Sequence, residues 1–84
     1  MSKIAQVSAL LDGQHVISNT SADRLRNYHR AREVMAANRK RGLIVRLAAI
    51  RTILNSYRVT LSLECDETGT DRVVIRSSQG SVSL

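Results

Sequence analysis

The sequence contains no proline, no phenylalanine and no tryptophan, and it has only two tyrosines and one cysteine. Without Phe or Trp, the core must be built from Leu, Ile, Val and Ala, which bury less apolar area per residue than aromatic rings do. Cys65 has no second cysteine to pair with, so an internal disulfide is excluded. Small secreted domains usually depend on disulfides, and this composition therefore predicts a reducing, cytoplasmic location.

Long apolar runs are also missing. No stretch approaches the ~18 apolar residues from which a membrane-spanning helix is recognised. Residues 1–11 lack the charged and then apolar layout of a signal peptide. We therefore expect a cytoplasmic protein that does not bind membranes.

Side chains that carry catalytic or metal chemistry are sparse. His15 and His29 fall on different predicted elements, and neither has a second ligand at metal-binding spacing. Cys65 ends an alternating strand on its apolar side, which predicts a small buried hydrophobe rather than a nucleophile. The chain has no glycine-rich phosphate-binding loop. We interpret the protein as a non-enzyme that uses no cofactor and no metal ion.

Eighty-four residues, 43% of them apolar, are enough for one small domain spanning residues 1–84. Apolar residues recur at helical spacing in three stretches, and this periodicity predicts helices over about 3–11, 21–41 and 43–57. The third stretch is apolar around most of its circumference, which is typical of a central helix. Residues 14–18 are predicted to form a short strand, since they include the β-branched Val16 and Ile17.

The ends of the second predicted helix carry recognisable signals. Thr20, with Asp23 three residues later, resembles a capping box at its start. Residues 39–41 (Arg-Lys-Arg) are predicted to fill its last turn, where cations face exposed carbonyls. Gly42 follows as the stop signal. This helix is expected to connect directly to the third one.

The C-terminal third has the alternation of β-strands. Residues Arg58–Cys65 alternate strictly, which places one set of side chains on the inner face: Val59, Leu61, Leu63 and Cys65. A polar turn precedes a second strand over Arg72–Arg76, and a second turn precedes a short strand over Ser81–Leu84. We thus predict an α+β domain whose N-terminal helices pack on a C-terminal antiparallel β-hairpin or three-stranded meander.

The same periodicities predict which side chains form the core. The apolar face of the second predicted helix consists of Leu25, Tyr28, Met35 and Ala36. The third predicted helix presents a stripe of Leu43, Leu47, Ile50, Leu54 and Tyr57. Both tyrosines are therefore predicted to lie in the core, with their hydroxyl groups at its edge.

The predicted order of helix, strand, two helices and hairpin is similar to that of a winged helix-turn-helix. The likeness is topological, and a fold does not establish a function. A helix over residues 21–41 is too long for the compact helix-turn-helix unit, and the third helix lacks an exposed basic face for a DNA groove. The lengths therefore favour a different arrangement.

The charges are segregated along the chain. Residues 24–58 contain ten positive side chains and one acid, Glu33, for a net charge of +9. The remainder contains three positive and six negative residues, for a net charge of −3. Four of these acids lie close together at the predicted hairpin: Glu64, Asp66, Glu67 and Asp71. A total charge of +6 points to an acidic partner, since basic surfaces attract polyanions.

The candidate phosphate-binding residues lie on the second predicted helix and at its end: Arg24, Arg26, Arg30, Arg39, Lys40 and Arg41. Arginine binds phosphates in a bidentate way, and a row of cations can follow a nucleic-acid backbone. The predicted function is a small regulatory protein that binds DNA or RNA through its phosphates. The alternative for these cations is a solvated face with local ion pairs, Asp23–Arg26 and Arg30–Glu33.

A second function class fits the same sequence, namely a protein-interaction module such as a phage inhibitor or adaptor that binds an acidic surface of a host protein. A strand edge near Ser81–Leu84 could extend the sheet of such a partner. A homodimer is a further expectation, because Arg32 and Arg39 lie near the apolar arc of their helix and could pair with the acidic hairpin of a second copy. The predicted partners are thus nucleic acid or an acidic protein surface.

Overall fold

The computed structural model describes residues 1–17 and 20–84, with the side chain of Thr20 outside that description. Three helices come first in the chain: α1 (Lys3–Leu10), α2 (Thr20–Ala37) and α3 (Leu43–Ile53). Three strands follow: β1 (Thr60–Cys65), β2 (Asp71–Ser77) and β3 (Gly80–Ser83). The strands form an antiparallel sheet in the order β1-β2-β3. The predicted α+β architecture is confirmed, in its three-stranded form.

Local chemistry explains how α1 begins and ends. The Ser2 hydroxyl caps the helix by accepting a hydrogen bond from the Ala5 amide at 3.1 Å. Past the end of the helix, Gly13 adopts a φ of +72°, a conformation that costs glycine little. The chain can therefore turn back within three residues of Leu10.

The core lies between the helices and one face of the sheet. Each helix and the central strand contribute at least one fully buried side chain: Val7 and Leu11 from the α1 region, Val34 from α2, Ile50 from α3, and Ile75 from β2. Direct bonds also join α1 to the sheet, since the Ser77 hydroxyl donates to the Leu10 carbonyl at 2.8 Å. Aliphatic packing of this kind replaces the aromatic core that the composition excludes.

A buried polar contact fixes the orientation of α2. Its inward arc consists of two polar residues, Asp23 and Asn27, and three aliphatic residues, Ala31, Val34 and Ala37. The Tyr57 hydroxyl donates a hydrogen bond of 2.8 Å to Asn27 Oδ1 inside the protein. Burial raises the pKa of Tyr57, and the nearby Arg26 and Arg30 offset part of that rise. Because a buried amide oxygen needs a donor, α2 must keep Asn27 turned toward Tyr57.

Two bulky side chains that were predicted to lie on the buried face of α2 are exposed instead. Leu25 is 64% exposed and Tyr28 is 44% exposed, whereas Met35 is half-buried and packs against the core. The reason is the rotation of α2: from the inward Asn27, Tyr28 lies about 100° and Leu25 about 200° around the helix, on the side away from the core. Tyr57 is buried as predicted, but its hydroxyl bonds Asn27 inside the protein instead of lying at the edge of the core, and the residue lies beyond the end of α3.

Both long helices end earlier than predicted. The helix predicted over 21–41 ends at Ala37, so the Arg-Lys-Arg run lies in a loop rather than in the last helical turn. After Ala37 the helix ends in a turn of the 3₁₀ type, in which the Arg39 and Lys40 amides donate hydrogen bonds to the carbonyls three residues earlier. Gly42 then takes a φ of +82°. The helix predicted over 43–57 ends at Ile53, because the backbone of residues 56–58 pairs instead with residues 14–16.

The strand predicted over residues 14–18 does not form as such. His15 makes one isolated antiparallel bridge with Tyr57, while Val16 and Ile17 are exposed. Residue 18 lies outside the described residues, and so does the Thr20 side chain of the predicted capping box. Two backbone hydrogen bonds flank this bridge, from the Val16 amide to the Ser56 carbonyl at 2.8 Å and from the Arg58 amide to the Gln14 carbonyl at 2.7 Å.

The predicted strands agree with β1, β2 and β3 to within two residues. The inward alternation of β1 holds for Val59 and Leu61, which pack against the core. It fails at Leu63, which is 38% exposed, and at Cys65, whose predicted burial is wrong. β1 is an edge strand, and its far end is not covered by other residues of the described structure.

The two tyrosines offer a matched test of the Asn27–Tyr57 contact. Tyr57→Phe removes the donor and leaves Asn27 Oδ1 buried without a partner, which should lower the free energy of unfolding by about 1–3 kcal/mol. Tyr28→Phe makes the same chemical change at an exposed site and should alter it by less than ~0.5 kcal/mol. Urea unfolding measures both, and equal effects would contradict this account of α2.

Candidate nucleic-acid interface

The six predicted phosphate-binding residues fall into three groups in the structure. Arg24 and Arg26 lie on opposite flanks of the buried arc of α2, because residues two apart on a helix point about 200° apart. Arg26 and Arg30 share one flank and are half-buried. The other three residues lie together on the exposed loop between α2 and α3, named here the basic loop: Arg39, Lys40 and Arg41.

Arg26 and Arg30 form the two local ion pairs that the sequence predicted as the alternative to phosphate binding. Arg26 Nη1 lies 2.7 Å from Asp23 Oδ1, and Arg30 Nη1 lies 3.0 Å from Glu33 Oε1. Asp23 is only 4% exposed, so Arg26 stabilises a carboxylate that has little access to water. The side chains of Arg30 and Glu33 are 41% and 49% exposed, and pairs open to solvent in this way are weak enough for Arg30 to exchange Glu33 for another anion.

The basic loop is the group that the structure leaves most available. Its three side chains are exposed, and none of them forms an ion pair with a described residue. Gly42, which follows the loop, provides no side-chain cap for α3. The first amides of α3 therefore add partial positive charge next to these cations. Arg51 is exposed further along α3.

Among the described residues, no acid of the hairpin forms an ion pair with the basic loop or with an arginine of α2. Glu64 pairs with Arg76 at 2.6 Å, and Asp66 pairs with Arg72 at 2.7 Å, so both acids use arginines of β2. The Thr68 hydroxyl, together with Arg72 and the Thr70 amide, holds the pKa of Asp66 well below its usual range. Arg76 and the Ser62 hydroxyl likewise lower the pKa of Glu64. The charge segregation seen in the sequence is therefore retained in the folded protein.

Three positions bear on the predicted self-association and strand-edge binding. Arg32 and Arg39, predicted near the apolar arc of their helix, are both exposed, so neither needs a buried counter-charge. One carbonyl of β3, that of Ser83, already accepts a hydrogen bond of 2.8 Å from Lys3. The exposure of Arg32 and Arg39 removes the reason that their burial gave for a homodimer, whereas β3 remains an edge strand of the sheet.

Sequence reasoning missed two features of this region. It did not foresee the unsatisfied polar atoms on either side of the basic loop, Asn38 Oδ1 and Arg46 Nε, which are buried without a partner among the described residues. It also placed Leu25 inside rather than on the surface beside Arg24. The exposure of Leu25 could have been inferred from Asn27 and Ala31, which are four residues apart and therefore share a helix face that does not include Leu25.

The described residues contain no group of three or more His, Cys, Asp or Glu side chains arranged to hold a metal ion. A search of the same residues finds no helix with the length and apolar character needed to span a membrane. Comparison of the chain with protein-family models, curated proteins and solved structures found no match. The function must therefore be argued from the surface itself.

The hairpin ion pairs predict acid sensitivity. The pKa of Asp66 in the folded protein lies below its ordinary value of 3.8, and that of Glu64 lies below 4.5. Because a lowered pKa stabilises the fold only while the carboxylate is charged, this contribution is complete above pH 4.5 and declines as the pH falls below it. Urea midpoints should therefore change little from about pH 6 to pH 5 and decrease as the pH is lowered from about 4.5 to 2.5.

Asp66→Asn should flatten that pH dependence, whereas Glu67→Gln should leave it intact, because Glu67 forms no ion pair with a described residue. An acid dependence that is unchanged in Asp66→Asn would show that the hairpin contacts do not contribute to stability.

Proposed function

We propose that the protein is a non-enzymatic, regulatory nucleic-acid-binding protein that contacts phosphates through its basic loop. The observation that carries this proposal is the cluster of three exposed, adjacent cations with no ion pair in the described part of the chain. Unpaired cations on one surface release condensed counterions when they bind a phosphate backbone, and this release drives association.

The arginines of the other two groups have secondary roles in this proposal. Arg24 is exposed and lies outside the ion pairs of the described residues, so it can extend the contact along α2. Arg30 can exchange Glu33 for a phosphate at small cost. Arg26 is the least suited of the six, because its release would leave the buried Asp23 without this counter-charge.

Recognition is expected to be dominated by the nucleic-acid backbone. Proteins that stack bases use exposed aromatic platforms. Tyr57 is buried, and the ring of Tyr28 already has the Arg32 guanidinium 5.9 Å from its centroid. The basic loop therefore supplies affinity with little discrimination between base sequences. We place the protein in the cytoplasm, where the exposed thiol of Cys65 would remain reduced.

Replacing the basic loop tests the proposal. The triple variant Arg39→Gln, Lys40→Gln, Arg41→Gln should weaken binding to a fluorescein-labelled DNA duplex, and to the corresponding RNA, by a similar factor for any sequence. Each lost phosphate contact lowers the slope of log K against log salt by about 0.9, so the slope should fall by about 2 to 3. Fluorescence anisotropy over a series of salt concentrations measures both quantities.

The two lysines of the chain provide a matched control. Lys40→Gln should weaken binding and lower the salt slope by about 1. Lys3→Gln removes the same charge from α1 and should have little effect. No binding of DNA or RNA by the unmodified protein at low salt would contradict the proposal, as would equal effects of the two lysine substitutions.

A further inference from the structure

A groove separate from the basic loop runs between α1 and α2. It has a volume of about 860 Å³ and is bounded at one side by Gln79 of the β2–β3 turn. Small residues of α1 line it, namely Ala5, Ser8 and Ala9, and Leu25 and Tyr28 line it from α2. Small side chains on one wall leave space for the backbone of another chain to approach closely.

The α2 side of the groove exposes apolar surface that a protein normally buries. Leu25 and Tyr28 lie one turn apart, with 64% and 44% of their surfaces exposed. Their outward position follows from the buried Asn27–Tyr57 bond, since α2 cannot rotate to hide them without breaking it. Adjacent exposed apolar side chains on one helix face are typical of an interaction surface.

The charges beside these residues indicate the chemistry of the partner. Arg24 lines the groove, and the Arg32 guanidinium lies over the Tyr28 ring, whereas Asp12 is the only acid lining it among the described residues. Two copies of this chain facing each other through the groove would bring four guanidinium groups together, which is unfavourable. A partner that carries carboxylates would be attracted instead.

We propose that this groove binds an acidic, amphipathic helical segment of a partner protein. Its apolar side chains pack against Leu25 and Tyr28, and its carboxylates pair with Arg24 and Arg32. Helices that dock in this way present apolar residues at positions i, i+3, i+4 and i+7. The proposal does not depend on the nucleic-acid function, because the groove shares no residue with the basic loop. Arg24, which extends the phosphate contact along α2, is the one residue that both proposals use.

Two synthetic peptides of about four helical turns test the groove. Both carry Leu at positions i, i+3, i+4 and i+7, and the remaining positions are mainly Glu in one peptide and Lys in the other. The Glu peptide should shift the amide signals of Ala5, Ala9, Leu25 and Tyr28 in the ¹⁵N-labelled full chain. The Lys peptide should leave them in place.

Two surface substitutions at equally exposed leucine-sized residues provide the control. Leu25→Ser should weaken binding of the Glu peptide on the order of tenfold. Ile44→Ser, at an α3 position that is 69% exposed and outside the groove, should not. Both variants should bind the labelled DNA duplex like the unmodified protein, so that failure of the groove and failure of the basic loop remain distinguishable.

Any of four results would overturn the proposal: no groove shifts with the Glu peptide, equal shifts with the Lys peptide, unaltered binding by Leu25→Ser, or shifts of Ala5, Ala9 and Tyr28 caused by the DNA duplex. Sedimentation that shows a dimer for the unmodified chain and a monomer for Leu25→Ser would assign the groove to a second copy of this protein, and would also overturn it.

Discussion

The hydrogen bond from the Tyr57 hydroxyl to Asn27 Oδ1 constrains the rest of the structure. It joins α2 to the chain just beyond α3 and is fully buried, so it sets the rotation of α2 about its own axis. With Asn27 and Ala31 inward, α2 buries little apolar volume. Leu25, Tyr28 and two of the four arginines of α2, Arg24 and Arg32, then face solvent.

The hairpin acids determine what the exposed cations can do. Because Glu64 and Asp66 are paired with arginines of the neighbouring strand, the acidic and basic parts of the chain do not cancel each other within one molecule. Because α2 ends at Ala37, the Arg-Lys-Arg run lies in a loop instead of on the helix, where its side chains are free to contact a partner. The basic loop therefore carries three cations that the described residues leave unpaired, whereas the groove combines exposed apolar surface with Arg24 and Arg32.

Local signals in the sequence were sufficient for the order of elements. Strict alternation over residues 58–65 and glycine-containing turns predicted the meander, and helical spacing predicted three helices. The rotation of α2 could not be predicted, because its buried side is small and polar and the partner that fixes it is 30 residues away. The early end of α3 also depends on a distant contact, the pairing of residues 14–16 with 56–58. Within the candidate site, the sequence alone shows that residues 39–41 form a cluster of cations. It could not decide whether Arg26 and Arg30 bind phosphates or form local ion pairs.

The central claim is that the basic loop is the surface that meets phosphates. A titration of the ¹⁵N-labelled full chain with an unlabelled DNA duplex at low salt tests it most directly. The account predicts that amide shifts concentrate at residues 39–43, with smaller changes at Arg24 and Arg30. Shifts confined to the hairpin around Asp66, or spread evenly over the molecule, would contradict it.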